Sequence, residues 1–251
     1  MCGFAGVVGN FVERKDLYIK SDNLNHRGPD EKSSYIDDNV HIDFFRLSII
    51  DHKGGSQPKI SEDEKYILFF NGEIYNFKEI KKDLENENIV INTESEAEVL
   101  LQAFIKWGVS AIKKLNGMFS ICFIDKNNQN IKLIRDQFGI KPIYYKINKE
   151  NIVFSSEQKA IKNKNKINEN SLSDYLNFQF YLSNETLIED LYEVSPGTYV
   201  EIDLSTLKIK EERYFYLNFA NDVAEYSTID DLEQALNDSV KRQINADVKV
   251  G

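Results

Sequence analysis

The chain begins Met-Cys-Gly-Phe-Ala-Gly-Val-Val-Gly-Asn, residues 1–10, and this stretch decides how the remainder is interpreted. If the initiator methionine is removed, Cys2 becomes the first residue and carries both a thiol and a free α-amine. The pKa of an α-amine is about 8 and that of a thiol about 8.5, so the amine can accept the thiol proton near neutral pH. The apolar run from Phe4 to Val8 predicts a short buried strand that fixes this terminus inside the fold. The alternative is an ordinary start codon followed by a cysteine without a role.

The composition of the chain limits the classes of protein to which it can belong. The chain has 251 residues, 41% of them hydrophobic, and a formal net charge of −10. An acidic chain lacks the clustered cations that phosphate backbones require, so we expect no nucleic-acid partner. No apolar run approaches the roughly 18 residues of a membrane span, and the start does not resemble a signal peptide, so we expect a cytoplasmic protein without a membrane partner. Cys2, Cys122 and the histidines form no Cys/His cluster, and no metal site is predicted.

The order of the predicted elements favours an α+β architecture. Strand patterns near residues 35–50 and 66–70 come before amphipathic helices at 77–88 and 93–107, and strand patterns return between 118 and 155. This segregation favours layers of antiparallel sheet and helix over an alternating parallel fold. Further helices are predicted at 16–25, 110–115, 157–164 and 170–181.

The C-terminal part of the chain changes character after the last predicted strand. Residues 219–228 are polar and acidic and are predicted to be a linker. An amphipathic helix is predicted from Ile229 to Ile244, with its apolar face directed inward. The predicted domain therefore comprises residues 2–218, and a separate segment covers residues 229–251.

Polar groups that suit the recognition of an α-amino acid lie at separate points of the sequence. Arg46 can clamp a carboxylate, Asn71-Gly72 can donate two N–H groups to an oxyanion, and Glu96 can neutralise an ammonium group. Each has an ordinary alternative: a surface salt bridge for Arg46, a hairpin turn for Asn71-Gly72, and the helix macrodipole for Glu96. Together with Cys2, they would bind one amino acid that carries a side-chain carbonyl.

A series of motifs makes a resemblance specific. Residues 1–6 and several later segments resemble motifs of the class II glutamine amidotransferase domain of the asparagine synthetase family. The motifs occur in the same order along the chain. The matching segments are His26-Arg27-Gly28-Pro29-Asp30, Arg46-Leu47-Ser48-Ile49-Ile50-Asp51, Asn71-Gly72-Glu73-Ile74-Tyr75-Asn76, Leu115-Asn116-Gly117-Met118-Phe119, Arg135-Asp136-Gln137-Phe138-Gly139-Ile140-Lys141-Pro142, Phe154-Ser155-Ser156-Glu157 and Pro196-Gly197. Amidotransferases that make glucosamine phosphate or phosphoribosylamine share the N-terminal cysteine but differ at the Arg-Gly-Pro-Asp motif of residues 27–30 and the Arg-Leu-Ser-Ile motif of residues 46–49.

The resemblance implies a fold and a set of roles. The implied fold is that of N-terminal nucleophile hydrolases, a four-layer αββα sandwich of two antiparallel sheets. Cys2 would form a thioester with glutamine, with Asn71 and Gly72 holding the oxyanion. Arg46 and the backbone of Leu47, Ser48, Ile49 and Ile50 would bind the substrate carboxylate, and Gly72, Glu73 and Glu96 would bind its ammonium group.

The sequence departs from the family pattern at two places. The family's ammonium-binding aspartate is replaced by Glu96, which keeps the charge but adds a methylene. The segment 229–251 resembles the start of an ATP-dependent synthetase domain and ends before that domain's Ser-Gly-Gly-x-Asp-Ser loop. ATP and Mg are therefore expected only with a synthetase domain that is missing or a separate chain. A homodimer is also a family expectation. A weakly catalytic scaffolding module and an acceptor other than aspartate stay as alternatives.

Overall fold

The computed structural model describes residues 2–10, 15–16, 18–48, 54–91, 93–163, 166–217 and 228–244. Within these ranges, two six-stranded sheets lie face to face, and every strand pair is antiparallel. Strands and helices are numbered along the chain. The first sheet has the order β10-β8-β9-β1-β3-β2, from β1 (Gly3–Gly9), β2 (Glu31–Asp37), β3 (Val40–Arg46), β8 (Tyr144–Ile147), β9 (Asn151–Ser155) and β10 (Tyr192–Glu193). The second has the order β12-β11-β7-β6-β5-β4, from β4 (Lys59–Ile60), β5 (Tyr66–Ile74), β6 (Gly117–Asp125), β7 (Asn130–Arg135), β11 (Thr198–Asp203) and β12 (Ile209–Arg213).

Strand β1 is buried on both of its faces, as its continuous apolar sequence predicts. Phe4 and Val8 point into the core between the two sheets, whereas Ala5 and Val7 lie in a second cluster on the outer side. Only glycine fits at position 6, because a Cβ there would lie 2.5 Å from the ring of Phe154 on the neighbouring strand β9. The sequence-based prediction of a strand that fixes the N-terminus is confirmed.

Two helices cover the outer face of the second sheet. Helices α1 (Phe77–Asn86) and α2 (Glu96–Trp107) pack their apolar faces on the strands, with Leu84 buried and Phe104 stacked on Phe123. The two antiparallel sheets and their helical cover confirm the predicted α+β sandwich.

Three of the shorter predicted helices are replaced by 3-10 turns. The structure has such turns at Ser21–Leu24, Gly108–Lys114 and Gln158–Ala160 in place of the predictions at 16–25, 110–115 and 157–164. Tertiary contacts explain the first and last of these. Ile19 and Ile161 form a β-bridge, which ties the two segments together in extended conformation. Leu17 of the first prediction and Lys164 of the last lie outside the described residues.

The two C-terminal helices differ from their predictions in length or in burial. Helix α3 (Glu169–Phe178) ends earlier than predicted because Gln179 adopts a left-handed conformation, with φ of 63°. Helix α4 (Ile229–Gln243) begins with a capping box between Thr228 and Asp231. The apolar side chains of α4 were expected to face inward, but Leu232 is 55% exposed. The described part of the chain does not bury the apolar face of α4, so that expectation is wrong.

A buried aspartate organises the turn that follows β7. Asp136 is 1% exposed, and its carboxylate accepts four backbone hydrogen bonds. The donors are the N–H groups of Phe138 and Ile140 to Oδ1, and those of Phe119 and Lys141 to Oδ2, at 2.9 to 3.2 Å. This one side chain thereby fixes the turn 136–141 against β6.

We expect Asp136→Asn to lower the free energy of unfolding by about 2 to 4 kcal/mol, because an amide N–H₂ would face backbone donors that now bind a carboxylate. Urea unfolding, followed by circular dichroism, measures this change. Asp203→Asn is the matched control, since Asp203 also accepts backbone N–H groups in a turn but is solvated there. An equal loss in both variants would contradict the special role of Asp136.

Candidate active site

One cavity, of about 180 Å³, collects most of the residues that the sequence singled out. It lies where the residue before β1, the end of β3, the end of β5 and the start of α2 meet. Its lining residues are Cys2, Arg46, Leu47, Gly55, Gln57, Phe70, Asn71, Gly72, Glu73, Ser95, Glu96, Ala97, Met118 and Lys141. Of the predicted site residues, Ser48 is not part of this lining, and Ile49 and Ile50 lie outside the described residues.

The pairing of β1 with β3 brings the thiol of Cys2 to the backbone of Leu47. Gly3 pairs with Phe45, so the residue before β1 lies beside the end of β3. The N–H of Leu47 lies 3.4 Å from Sγ of Cys2, and its carbonyl oxygen lies 3.5 Å away. A backbone N–H at this distance can stabilise a thiolate, which is the reactive form of cysteine.

A partly buried ion pair holds the backbone of Cys2 from the other side. Nε of Arg27 donates to the carbonyl oxygen of Cys2 at 2.9 Å, and Nη1 donates to Glu157 at 2.9 Å. Burial alone would raise the pKa of Glu157, but hydrogen bonds from Arg27, Lys159 and His26 lower that pKa to about 2. Arg27 is therefore held against the backbone of Cys2. Arg27 and Glu157 both belong to motifs found in the sequence, but no role was predicted for either residue from the sequence.

The electrostatic surroundings of the thiol are mixed. Burial raises the pKa of Cys2, whereas the Leu47 N–H and the positive charges of Arg46 and Arg27 act to lower it. The thiol is therefore protonated near neutral pH in the absence of substrate. Nucleophilic attack requires a base, and the α-amine of a processed Cys2 would lie on the same residue.

Asn71 and Gly72 lie inside β5 and not in a hairpin turn, so the turn alternative is wrong. Asn71 is buried, and its Nδ2 donates to Oγ of Ser120 at 3.3 Å, which orients the side-chain amide. A Cβ on Gly72 would lie 2.0 Å from the carbonyl oxygen of Met118. Only glycine fits at this position of the strand pair, which explains the Asn-Gly sequence without a turn.

The surroundings of Arg46 are compatible with both roles that the sequence left open. Its side chain is buried, lines the cavity, and also forms an ion pair with Glu31, with Nη1 and Oε2 3.2 Å apart. Glu31 lies directly opposite Arg46 in the β2–β3 pair, so it holds the guanidinium group in place. The guanidinium group is thereby oriented beside the cavity, where it can bind a carboxylate.

Glu96 is the first residue of α2, and its side chain is turned into the fold. Its Oε1 accepts a hydrogen bond from the N–H of Ile74 at 3.0 Å. Burial raises the pKa of Glu96 to about 8; the Ile74 N–H acts to lower it, and the charge of Glu73 acts to raise it. A buried carboxyl group with so high a pKa is unfavourable in its ionised form until a cation binds beside it.

Comparison with known proteins defines the family. A family profile described as "Glutamine amidotransferase domain" matches residues 1–215. The chain belongs to the glutamine amidotransferase domain family. Among curated relatives, this amidotransferase chain is 37% identical, over its whole length, to glutamine-hydrolysing asparagine synthetase 1 of Bacillus subtilis, and 33% identical to asparagine synthetase 2 of the same organism. It spans only 41% and 36% of their respective lengths.

Solved structures agree with the fold of the amidotransferase domain. The glutamine phosphoribosylpyrophosphate amidotransferase of B. subtilis superposes with a TM-score of 0.56 at 17% identity. The match covers 85% of this chain and 49% of that one. At this identity the likeness concerns the fold alone, and it confirms the predicted N-terminal nucleophile hydrolase fold.

The described residues also bear on the expectations about membranes and metals. In these ranges, no helix combines the length and apolarity that crossing a membrane requires. Nor do three or more His, Cys, Asp or Glu side chains group there in a way that would hold a metal ion. The expectation that this domain works without a cofactor stays a prediction.

We expect Glu96→Gln to stabilise the substrate-free protein at pH 8.5. The pKa of Glu96 is higher in the folded chain than the ordinary 4.5, so the free energy of unfolding falls as pH rises from about 4.5 to about 8. Glutamine keeps an oxygen for the Ile74 N–H and does not ionise. Urea unfolding should show a gain on the order of 2 to 4 kcal/mol at pH 8.5 and little change at pH 5. An equal effect at both pH values would contradict the raised pKa.

Proposed function

We propose that this amidotransferase domain hydrolyses glutamine to glutamate and ammonia through a thioester on Cys2. The observation that carries the proposal is the convergence of Cys2, Arg46, Asn71, Gly72 and Glu96 on a single cavity. The relatives support it, because glutamine hydrolysis is part of their names.

The charges of the cavity suit the two ends of glutamine. We assign the substrate carboxylate to Arg46, which Glu31 holds in place, with the backbone at Leu47 and Ser48 alongside. The predicted contribution of Ile49 and Ile50 is kept as part of this proposal. We assign the ammonium group to Glu96, with Gly72 and Glu73 beside it. This arrangement would direct the side-chain amide of glutamine toward Cys2.

The reaction proceeds in two steps that share the same groups. The α-amine of Cys2 takes the thiol proton, and Sγ forms a bond to the amide carbon, whose oxygen becomes an oxyanion. One N–H of the Asn71 amide is held by Ser120, which leaves the second for the oxyanion, together with the N–H of Gly72. Such a donor can lower the barrier by about 3 to 4 kcal/mol.

Collapse of the oxyanion breaks the carbon–nitrogen bond. The protonated amine of Cys2 transfers its proton to the leaving nitrogen, and ammonia departs from a thioester. The free amine then takes a proton from water, and the resulting hydroxide attacks the thioester carbon. Sγ leaves as the thiolate, takes the proton back from the amine, and glutamate is released. Atoms and charges balance, with one water consumed for each glutamine.

The ammonia is proposed to serve an amide-forming synthetase, with asparagine formation as the first candidate. The relatives are more than twice as long as this chain, and their names support asparagine as the product. We propose that residues 2–218 form the amidotransferase domain, that 219–228 link it, and that 229–251 begin the synthetase domain. The exposed apolar face of α4 supports this division, because such a face requires a partner surface. ATP and Mg would bind residues of that other domain.

A cytoplasmic location is proposed for the same enzyme. Cys2 and Cys122 are both free thiols in the structure, and the mechanism requires Cys2 to stay reduced. Cytoplasmic thiols are kept reduced, whereas secreted cysteines commonly form disulfides.

The proposal predicts that Cys2→Ala reduces ammonia release by at least about 1,000-fold, because it removes the nucleophile. Ammonia and glutamate are measured with the purified chain, and the mass of its N-terminus is determined on the same sample. Cys122→Ala is the control, since Cys122 is a buried core residue that does not line the cavity, and this variant should retain activity. Equal rates for Cys2→Ala and the wild type would remove Cys2 from the mechanism. No activity in a chain that begins at Cys2 would favour the alternative of a binding or scaffolding module.

Glutamine binding should also depend on pH through Glu96. Below pH 8 the free carboxyl group is largely protonated, so binding of an ammonium group must first displace a proton. We therefore expect the KM for glutamine to fall as pH rises from 6.5 to about 8. Glu96→Gln should raise KM and remove this slope, whereas the same slope in the variant would assign the titration to another group.

A further inference from the structure

A buried glutamine in the wall of the cavity has no role in the proposed reaction. Gln57 is 7% exposed and lines the cavity with Cys2 and Asn71. Its side-chain amide exchanges two hydrogen bonds with the backbone of Phe70. Nε2 donates to the carbonyl oxygen at 2.9 Å, and Oε1 accepts the N–H at 2.6 Å. Both polar ends of Gln57 are therefore used on the residue that precedes Asn71.

The position of Gln57 follows from the pairing of β4 with β5. Lys59 pairs with Leu68, so the same antiparallel register places position 57 opposite Phe70. Strand β4 itself has only two residues, Lys59 and Ile60, and its backbone pairing does not extend to Phe70. The side-chain amide of Gln57 supplies the N–H and C=O groups that a backbone partner would exchange there. It therefore completes this edge of β5 next to the site.

The same edge of β5 carries the proposed oxyanion donor. Backbone N–H groups alternate between the two edges of a paired strand, so those of Phe70, Gly72 and Ile74 point to one edge, which we call the cavity edge. Gln57 accepts the first of these N–H groups at 2.6 Å, and Oε1 of Glu96 accepts the third at 3.0 Å. Two side chains thus hold the backbone on either side of Gly72.

The N–H of Gly72 is directed away from β6. Gly72 lies opposite Phe119 in the β5–β6 pair. Both backbone groups of Phe119 bond to Asp136, since its N–H donates to Oδ2 at 3.2 Å and its carbonyl oxygen accepts the Asp136 N–H at 2.9 Å. They are therefore turned away from β5, as in every second pair of an antiparallel ladder. The Gly72 N–H faces the cavity edge, where substrate would lie.

The backbone of Gln57 is tied to the other sheet. Oγ of Ser33, on β2, donates to the carbonyl oxygen of Gln57 at 2.5 Å. The proposed nucleophile directly precedes a strand of this first sheet, whereas the proposed oxyanion donors lie on the second. Gln57 therefore links the two sheets by hydrogen bonds at the place where the parts of the site must meet.

We propose that Gln57 is a positioning residue for the oxyanion site, because its hydrogen bonds fix the cavity edge of β5 relative to β2 and so hold the Gly72 N–H toward the reacting oxygen. This inference rests on the proposed glutaminase function. Gln57 acts through the backbone of Phe70. Its effect is expected on the transition state and not on glutamine binding, because the oxyanion exists only during the reaction.

The test replaces Gln57 by methionine, which has a similar length but cannot form the two hydrogen bonds. For Gln57→Met, kcat and kcat/KM for glutamine should fall together by at least about tenfold, while KM stays within about threefold of the wild type. Ammonia release from the purified chain measures these constants.

A second measurement separates positioning from a general loss of structure. Iodoacetamide alkylates Cys2 in a reaction in which sulfur displaces iodide and no oxyanion forms. The mass of the N-terminal peptide follows this reaction. In Gln57→Met its rate should stay within about twofold of the wild type, whereas a disordered site would change alkylation and ammonia release together.

Two further variants keep the experiment decisive. Gln102→Met is the matched control, since Gln102 bonds to Glu98 on α2 outside the lining of the cavity, and it should retain the wild-type constants. Gln57→Glu keeps an oxygen for the Phe70 N–H but loses the donor to the Phe70 carbonyl. The same selective loss is expected from it, in case methionine prevents folding.

The proposal and the proposed function fail in different ways. Wild-type ammonia release in the Gln57 variants, or a loss matched by an equal change in alkylation, would overturn the positioning role. A wild-type chain that begins at Cys2 and releases no ammonia from glutamine would contradict the proposed function, and this inference would fall with it.

Discussion

The antiparallel pairing of β1 with β3 is the constraint on which the site depends. Gly3 pairs with Phe45, which places Sγ of Cys2 against the backbone of Leu47 and beside Arg46. A shift of this register by one residue would turn every β1 side chain to the opposite face, and both faces are packed with apolar groups. The hydrophobic core therefore fixes the position of Cys2 as firmly as it fixes the strand.

The site places ionisable groups where they are unfavourable without substrate. Burial raises the pKa of both Cys2 and Glu96, and Glu73 and Lys141 are also buried against their charges. Such groups reduce stability in the empty protein, and a bound zwitterion would relieve the unfavourable charges. The proposed function accounts for the presence of these groups, because replacements that stabilise a protein are otherwise easy to find. Hydrogen bonds close to the site offset part of this loss of stability. An example is the set of four backbone hydrogen bonds that Asp136 accepts.

Periodicity predicted the sheets and the two helices α1 and α2, because their apolar faces are continuous and their packing follows local sequence. The predictions from periodicity were wrong where contacts between residues far apart in the sequence decide the conformation. Ile19 and Ile161 bridge to each other, so the segments around them form 3-10 turns and not helices. They were also wrong about α4, whose apolar face is exposed because burial depends on a surface that the described residues do not supply.

The sequence by itself determined the position of the candidate nucleophile Cys2, the motifs that belong to an amidotransferase, and the α+β class, because these follow from residue type, order and period. Only the tertiary structure decided that Asn71-Gly72 lies within a strand, that Glu157 holds Arg27 against Cys2, and that Lys141 enters the cavity. Each of these joins residues far apart in the chain. Local sequence patterns do not encode such contacts. Strand register and burial determine which side chains meet and which charges lie close together in a low-dielectric environment.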